Sequence, residues 1–315
     1  MAYAQKNLPL AKKRAVYGSG FYVSPCEYDY SKVAQTVVQG CDSKYSKAES
    51  LFQWICDKIS YDTKTDIRTA DKCWEQQKAV CQGYCELYFR MAECVGLKTK
   101  LIYGKSRNSI GQSEEHAWLS VETEKGNILL DPTWGAGSVE NGKFCRQPNC
   151  MVWFDVEPEW FVFTHFPKDK KNMMMNVEIS EAQFMKLPYA SQLTAKLGFD
   201  GKEALEKALN GKLDFPLINA ASSRFLNMVT LKKVPIQRHL KVGSSYTFTV
   251  EKKSDDYALS INNAREMLDE TKWSKTDNVY TITVVPQKKG RLHIVLTSNK
   301  GFVKMKHGIV EYEVK

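Results

Sequence analysis

The sequence contains no run of about 18 apolar residues, the length a membrane-spanning helix needs, so it offers no bilayer span and reads as a soluble chain. It has no Cys-x-x-Cys pair, and the Cys81-x3-Cys85 and Cys145-x4-Cys150 spacings have no histidine partner at finger spacing, which argues against a structural metal. No cysteine follows Cys150. All nine (Cys26, Cys41, Cys56, Cys73, Cys81, Cys85, Cys94, Cys145 and Cys150) lie in the first half, unlike a disulfide scaffold in a chain this large. Internal repeats and low-complexity segments are absent. No nucleic-acid motif accompanies the lysines, and aromatics are not interleaved with them at a stacking spacing, which excludes a specific nucleic-acid partner. The start, Met1-Ala-Tyr-Ala-Gln, lacks the apolar stretch of a secretory signal, yet Ala2-Tyr3-Ala4 has the small-x-small look that precedes a signal-peptidase cut. A cytoplasmic protein and a trimmed periplasmic or extracellular one both fit.

What is present suits a globular chain. With 315 residues, 43% hydrophobic and 26% charged, it can bury a substantial core, and two domains are the default expectation. The net charge of +9 is unevenly placed: residues 216–315 hold 17 Lys+Arg against 9 Asp+Glu, and those before them 28 against 27. A basic C-terminal region is either a solvated strand face or a surface for an anionic partner.

Residues 1–40 carry aromatics (Phe21, Tyr22, Tyr28, Tyr30) without a clean period and read as an extended N-terminal arm. Ser46 and Glu49 then have the spacing of a capping box, and Ala48, Leu51, Phe52, Ile55, Cys56 and Ile59 recur on one helical face. After a polar connection from Ile67 to Gln77, a second stripe (Leu87, Tyr88, Met91, Cys94, Val95) ends at Gly96, a natural left-handed terminator. Cys81 therefore falls at or near a helix start. Strands are expected at 100–103, 116–121 and 128–131, and helices at 181–187 and 202–209. Beyond Pro216, short strands follow at 225–234, 245–251, 256–261, 278–285, 290–297 and 308–314, the rhythm of a β-sandwich. The expected organisation is an arm (1–40), an α+β core (41–170) with helices packed on an antiparallel sheet, a helical connector (171–215) and a basic β-sandwich (216–315).

Three residues of the core carry chemistry. A thiol attacks an amide as thiolate, and a helix N-terminus favours negative charge, so Cys81 has the position of a nucleophile. It needs a base and a group to orient the base. Only His116 and His165 precede residue 216, and His165 sits in a Thr-His-Phe-Pro stretch that suggests packing. His116 heads Glu115-His116-Ala117-Trp118-Leu119-Ser120-Val121, where it shares a strand face with Trp118 and Ser120. Asp131 ends the next strand. If the reversal lies within Glu122–Asn127, Asp131 comes to His116 directly opposite or one diagonal step away, whereas a one-residue slip would separate them.

In this order, Lys47–Ile55 with Ser60-Tyr61-Asp62, Val80-Cys81-Gln82-Gly83-Tyr84, His116-Ala117-Trp118 and Asp131-Pro132-Thr133-Trp134-Gly135 resemble the transglutaminase-like superfamily. Trp153–Pro167 is similar to the segment that follows the core in its kyphoscoliosis-peptidase-like branch. The resemblance covers roughly residues 41–215. It implies a papain-like core fold and acyl transfer through a thioester, with Cys81 as nucleophile, His116 as base and then acid, and Asp131 as orienting group. No cofactor is implied, and no calcium site is apparent.

The oxyanion formed on the way needs two donors. The Cys81 backbone N–H is one, and Trp74, Gln76, Gln77 or Gln82 could supply the other; Trp118 and Trp134 flank the base and carboxylate as candidate site walls. Cys85, one helical turn from Cys81, is either a small buried residue or a resolving thiol. The expected activity is hydrolysis of a peptide or side-chain amide. The alternatives are protein-glutamine amine transfer and a non-catalytic scaffold on the same fold. The C-terminal sandwich is expected to resemble an immunoglobulin-like module.

Overall fold

The apolar stripe of the first strong helix settles where the core begins. In the computed structural model, which describes residues 29–146, 149–263, 266–299 and 304–315, helix α2 (Lys44–Lys58) buries Ala48, Leu51, Phe52, Ile55 and Cys56. Each large side chain so buried contributes about 1.5–3 kcal/mol. Its cap differs from the expected one: Ser43, not Ser46, is the N-cap, with Ser43 Oγ accepting from Ser46 N–H at 3.0 Å and Ser46 Oγ accepting from Ser43 N–H at 3.2 Å. The expected arm is also corrected in part. Residues 29–37 form helix α1 (Asp29–Val37) with Tyr30 and Ala34 buried, and residues 1–28 of the arm lie outside the described residues.

Two compact units interleave along the chain. The first takes residues up to Ser106, then Glu114–Val156 and Pro167–Asn172; the second takes Arg107–Ser113, Glu157–Phe166 and Met173–Lys315.

In the first unit, β1 (Ser60–Tyr61) follows α2, then α3 (Ala70–Gln76), β2 (Lys78–Ala79) and α4 (Cys81–Cys94). Helix α3 lies within the stretch expected to be a connection. Strands β1 and β2 pair in parallel, Tyr61 opposite Ala79. Helix α4 buries Tyr84, Cys85, Leu87, Tyr88, Met91 and Ala92, and Tyr88 Oη donates to Ala48 O at 3.0 Å, tying α4 to α2. It ends as expected, with Gly96 at φ 75° and Leu97 N–H returning to Ala92 O. The strands β3 (Thr99–Arg107), β4 (Ser113–Thr123) and β5 (Gly126–Leu130) lie in the order β5-β4-β3. β4 and β5 are antiparallel with Leu119 opposite Leu130 and Thr123 opposite Gly126. The short helix α5 (Pro132–Ala136) and a hairpin, β6 (Gly137–Glu140) with β7 (Lys143–Arg146), complete this part.

The second unit contains helix α6 (Pro158–Phe161), the short strand β8 (His165–Pro167), and helices α7 (Glu181–Phe184), α8 (Gln192–Lys196) and α9 (Gly201–Leu209). Aromatic contacts knit the segments together: Phe163 and Trp160 against Phe215, at 5.6 and 5.7 Å between centroids, and Phe166 against Phe184 at 5.3 Å. The buried Arg107 guanidinium donates to the carbonyls of Met185, Phe163 and Leu187, and burial lowers its pKa.

The rest of this unit is a β-sandwich. One sheet has the order β10 (Val229–Lys233), β12 (Tyr246–Lys252), β16 (Val279–Val284), β15 (Ser274–Thr276). The other runs β11 (His239–Leu240), β18 (Lys306–Val314), β17 (Gly290–Ser298), β13 (Tyr257–Asn263), β14 (Glu266–Leu268), with β9 (Leu217–Ile218) also on β18. Inward residues alternate along β12, where Phe248 and Val250 are buried, and Phe248 meets Tyr312 of the other sheet edge-on at 5.7 Å. The α+β architecture with a C-terminal sandwich is thus as expected.

Opposite charges accompany the basic residues of the sandwich. A recess of about 590 Å³ is lined by Arg238, Lys289, Arg291 and Lys315 together with Glu311 and Glu313. The buried Lys252 ammonium pairs with Glu270 at 2.5 Å and lies 4.9 Å from the Tyr280 ring centroid. Among the described residues, no helix is long and apolar enough to cross a membrane.

Candidate active site

Cys81 is the first residue of α4, following the extended N-cap Val80. The cap is held by a neighbouring segment, Val80 N–H donating to Ile67 O at 3.1 Å. Gly83 permits that approach: a Cβ there would lie 2.5 Å from Ile67 O and 2.7 Å from the Ala79 Cβ. The thiol is half-buried and sits at the positive end of the helix.

His116 and Asp131 meet across β4 and the end of β5. The register puts Asp131 opposite Trp118, so His116 is one diagonal step away. His116 Nε2 lies 2.9 Å from Asp131 Oδ2, with side-chain exposures of 4% and 0%. Asp131 is also the N-cap of α5, with Pro132 in its first turn. Its Oδ1 accepts from Thr133 N–H at 2.8 Å and from Trp134 N–H at 3.1 Å, while its own N–H donates to Trp153 O at 3.0 Å. Both carboxylate oxygens are therefore committed and the backbone is clamped.

Burial alone would lower the His116 pKa. The charge and hydrogen bond of Asp131, followed by the hydrogen bond and charge of Cys81, outweigh it and push the imidazole up to about 10. The buried carboxylate is placed to stabilise a charged ring.

Trp118 and Trp134 flank the imidazole, with ring centroids at 6.3 and 5.7 Å, and Trp153 packs edge-on against Trp134 at 4.9 Å. Trp74 is engaged elsewhere in this unit, stacked on Trp54 at 5.9 Å and edge-on to Tyr30 at 5.9 Å. Gln82 is the second residue of α4 and half-buried; Gln76 is exposed, and Gln77 takes a left-handed backbone, φ 54°, at the end of α3. Cys85 is fully buried and its thiol is pushed well up by that burial, which fits the small buried residue rather than a resolving thiol. His165, within its own unit, stacks on Phe161 at 4.1 Å and lies 2.9 Å through Nδ1 from Thr164 Oγ1.

The sequence reading missed the cap made by Asp131, although Asp-Pro-Thr carries the N-cap and first-turn proline signals. It also gave no role to Tyr61, named only within the Ser60-Tyr61-Asp62 motif, whose pKa responds to charge on Cys81, Glu114 and Asp131.

Comparison with known proteins finds likeness in the same part of the chain. The Transglutaminase-like superfamily profile matches residues 31–132, a span that holds Cys81, His116 and Asp131, and the likeness of this part of the chain is to a transglutaminase-like domain. Within that superfamily, the likeness is to the kyphoscoliosis-peptidase branch. The chain is 26% identical over 221 residues to Kyphoscoliosis peptidase of Mus musculus, covering 64% of this chain and 33% of that protein. Over 220 residues it is 27% identical to the Homo sapiens protein, covering 64% and 33%. The chain therefore spans about a third of the length of the curated relatives it matches. Among solved structures, a proposed cysteine protease from Cytophaga hutchinsonii aligns with a TM-score of 0.31 and 17% identity, over 36% of this chain and 40% of that one.

Proposed function

We propose that this chain is a thiol hydrolase that cuts a peptide or side-chain amide through a thioester, with Cys81 as nucleophile, His116 as base and then acid, and Asp131 as its orienting group. The observation that carries this reading is the buried 2.9 Å contact between His116 Nε2 and Asp131 Oδ2, on an imidazole whose pKa also responds to Cys81. With Nε2 facing Asp131, the proton exchange with the thiol is assigned to Nδ1.

The Cys81 thiolate attacks the carbonyl carbon, the tetrahedral oxyanion collapses, and the departing amine takes the proton held by His116. Acylation removes the charge and hydrogen bond of the thiol, two of the influences that hold the imidazole protonated. The neutral ring then draws a proton from water, which attacks the thioester, releases the acid and restores the thiolate. An amine in place of water would give cross-linking, which incorporation of a labelled amine into a glutamine-bearing protein reports.

Iodoacetamide is expected to label Cys81 ahead of the other thiols, and Cys81→Ala to abolish cleavage in a peptide-library screen while leaving the fold intact. Retained turnover in Cys81→Ala, or a Cys81 inert to thiol probes, would sink the reading.

A further inference from the structure

Formation of the thioester passes through an oxyanion that needs preorganised donors. One side is available at the start of α4. Gly83 and Tyr84 N–H both turn back to Val80 O, at 2.9 and 3.2 Å, and the amides of Cys81 and Gln82 stand at the open end of the helix, where no carbonyl of the helix can reach them.

Tyr61 lies beside that opening. Its strand is fixed against the residues leading into Cys81: Tyr61 is opposite Ala79 in the parallel β1–β2 pair, and Asp62 N–H donates to Ala79 O at 2.9 Å. The phenol responds to charge on Cys81 at the head of α4, on Glu114 in β4 and on Asp131 at the head of α5. The pairing with Ala79, two residues before Cys81, is what brings the Tyr61 strand to the head of α4. The side chain is half-buried, and among the described residues its hydroxyl has no hydrogen-bond partner. Burial, with those negative neighbours, pushes the pKa up to about 12, so the group stays a neutral O–H across the working range.

Building on the acyl-transfer reading, we infer that the Tyr61 hydroxyl is the second oxyanion donor, a catalytic residue that hydrogen-bonds the tetrahedral oxygen formed when Cys81 attacks a carbonyl. The phenol keeps its proton throughout; it donates to the oxyanion as charge develops and is released when the carbonyl re-forms. Trp74, the aromatic candidate from sequence, is stacked on Trp54 and edge-on to Tyr30.

The test compares two reactions of the same thiol in wild-type protein and Tyr61→Phe. Acylation by p-nitrophenyl acetate passes through an oxyanion; alkylation by iodoacetamide does not. Because the hydroxyl has no hydrogen-bond partner among the described residues, its removal is expected to leave thermal unfolding unchanged. Acylation should fall by about 10²-fold while alkylation stays within about twofold. Equal acylation rates in the two proteins would overturn the inference. A parallel loss of both reactions would also overturn it, since the phenol would then act on the thiol or on the fold. A wild-type Cys81 that neither alkylates nor acylates would overturn the acyl-transfer reading and this inference with it.

Discussion

Asp131 does two jobs with one carboxylate, and they can be separated by substitution. In Asp131→Asn, a side-chain oxygen remains to cap Thr133 and Trp134, but an amide N–H₂ faces the ring and forces the opposite imidazole tautomer. The acylation rate should drop by about 10³–10⁴-fold, with near-native unfolding. The pH profile gives a second reading. The imidazolium of the wild type, raised to about 10 from an ordinary 6.5, is the proposed acid for the leaving amine; it is present below pH 10 and lost as pH rises through that value, so the alkaline limb is expected there. Without the carboxylate the limb should move down towards 6.5, and an unmoved limb would show that His116 is not governed by Asp131. Cys81, His116 and Asp131 were legible because each stands in a short local pattern: a helix start, a strand start and the end of the partner strand. Tyr61 was visible only as part of the Ser60-Tyr61-Asp62 motif; its pairing beside Ala79 was not, because so short a strand leaves no periodic trace.

At the scale of elements, contacts from elsewhere decide what local pattern leaves ambiguous. Ser43-x-x-Ser46 and Ser46-x-x-Glu49 both resemble capping boxes. The earlier start prevails, and Glu124 from the β4–β5 turn accepts from Tyr45 N–H at 3.3 Å, satisfying a donor in the first turn. Helix α3 was illegible for a related reason: seven residues without a side-chain cap bond carry little signal of their own. Gly83 shows the converse, a residue whose meaning is wholly tertiary. The atom a Cβ would strike there belongs to the Ile67 backbone, which cannot step aside as a flexible side chain would. Gly83→Ala should therefore destabilise by about 1–3 kcal/mol in denaturant unfolding and slow Cys81 labelling together with it. A neutral outcome would mean that the Ile67 segment yields freely.

For the molecule as a whole, the rhythm of strands and turns was enough to reveal the sandwich, while β9, β11, β14 and β15, of two or three residues each, escaped notice. The interleaving of the units was illegible, because nothing in local pattern says which core a segment will join. The chain changes unit after Ser106, Ser113, Val156, Phe166 and Asn172. A chain stopped after Asn172 would keep Trp160, Phe163 and Phe166 but lose Phe215 and Phe184, against which they pack. It should aggregate on expression, and a monomeric fragment with a cooperative melt would count against so tight a dependence.

That interleaving also sets an order of events during synthesis. Every residue of the first unit has been made by Asn172, so the thiol, imidazole and carboxylate can come together while the sandwich is still being translated. Trp160 and Phe163 leave the ribosome well before Phe215 exists. Until it arrives, the nascent chain carries an uncovered aromatic segment, and that interval is when it most needs a chaperone.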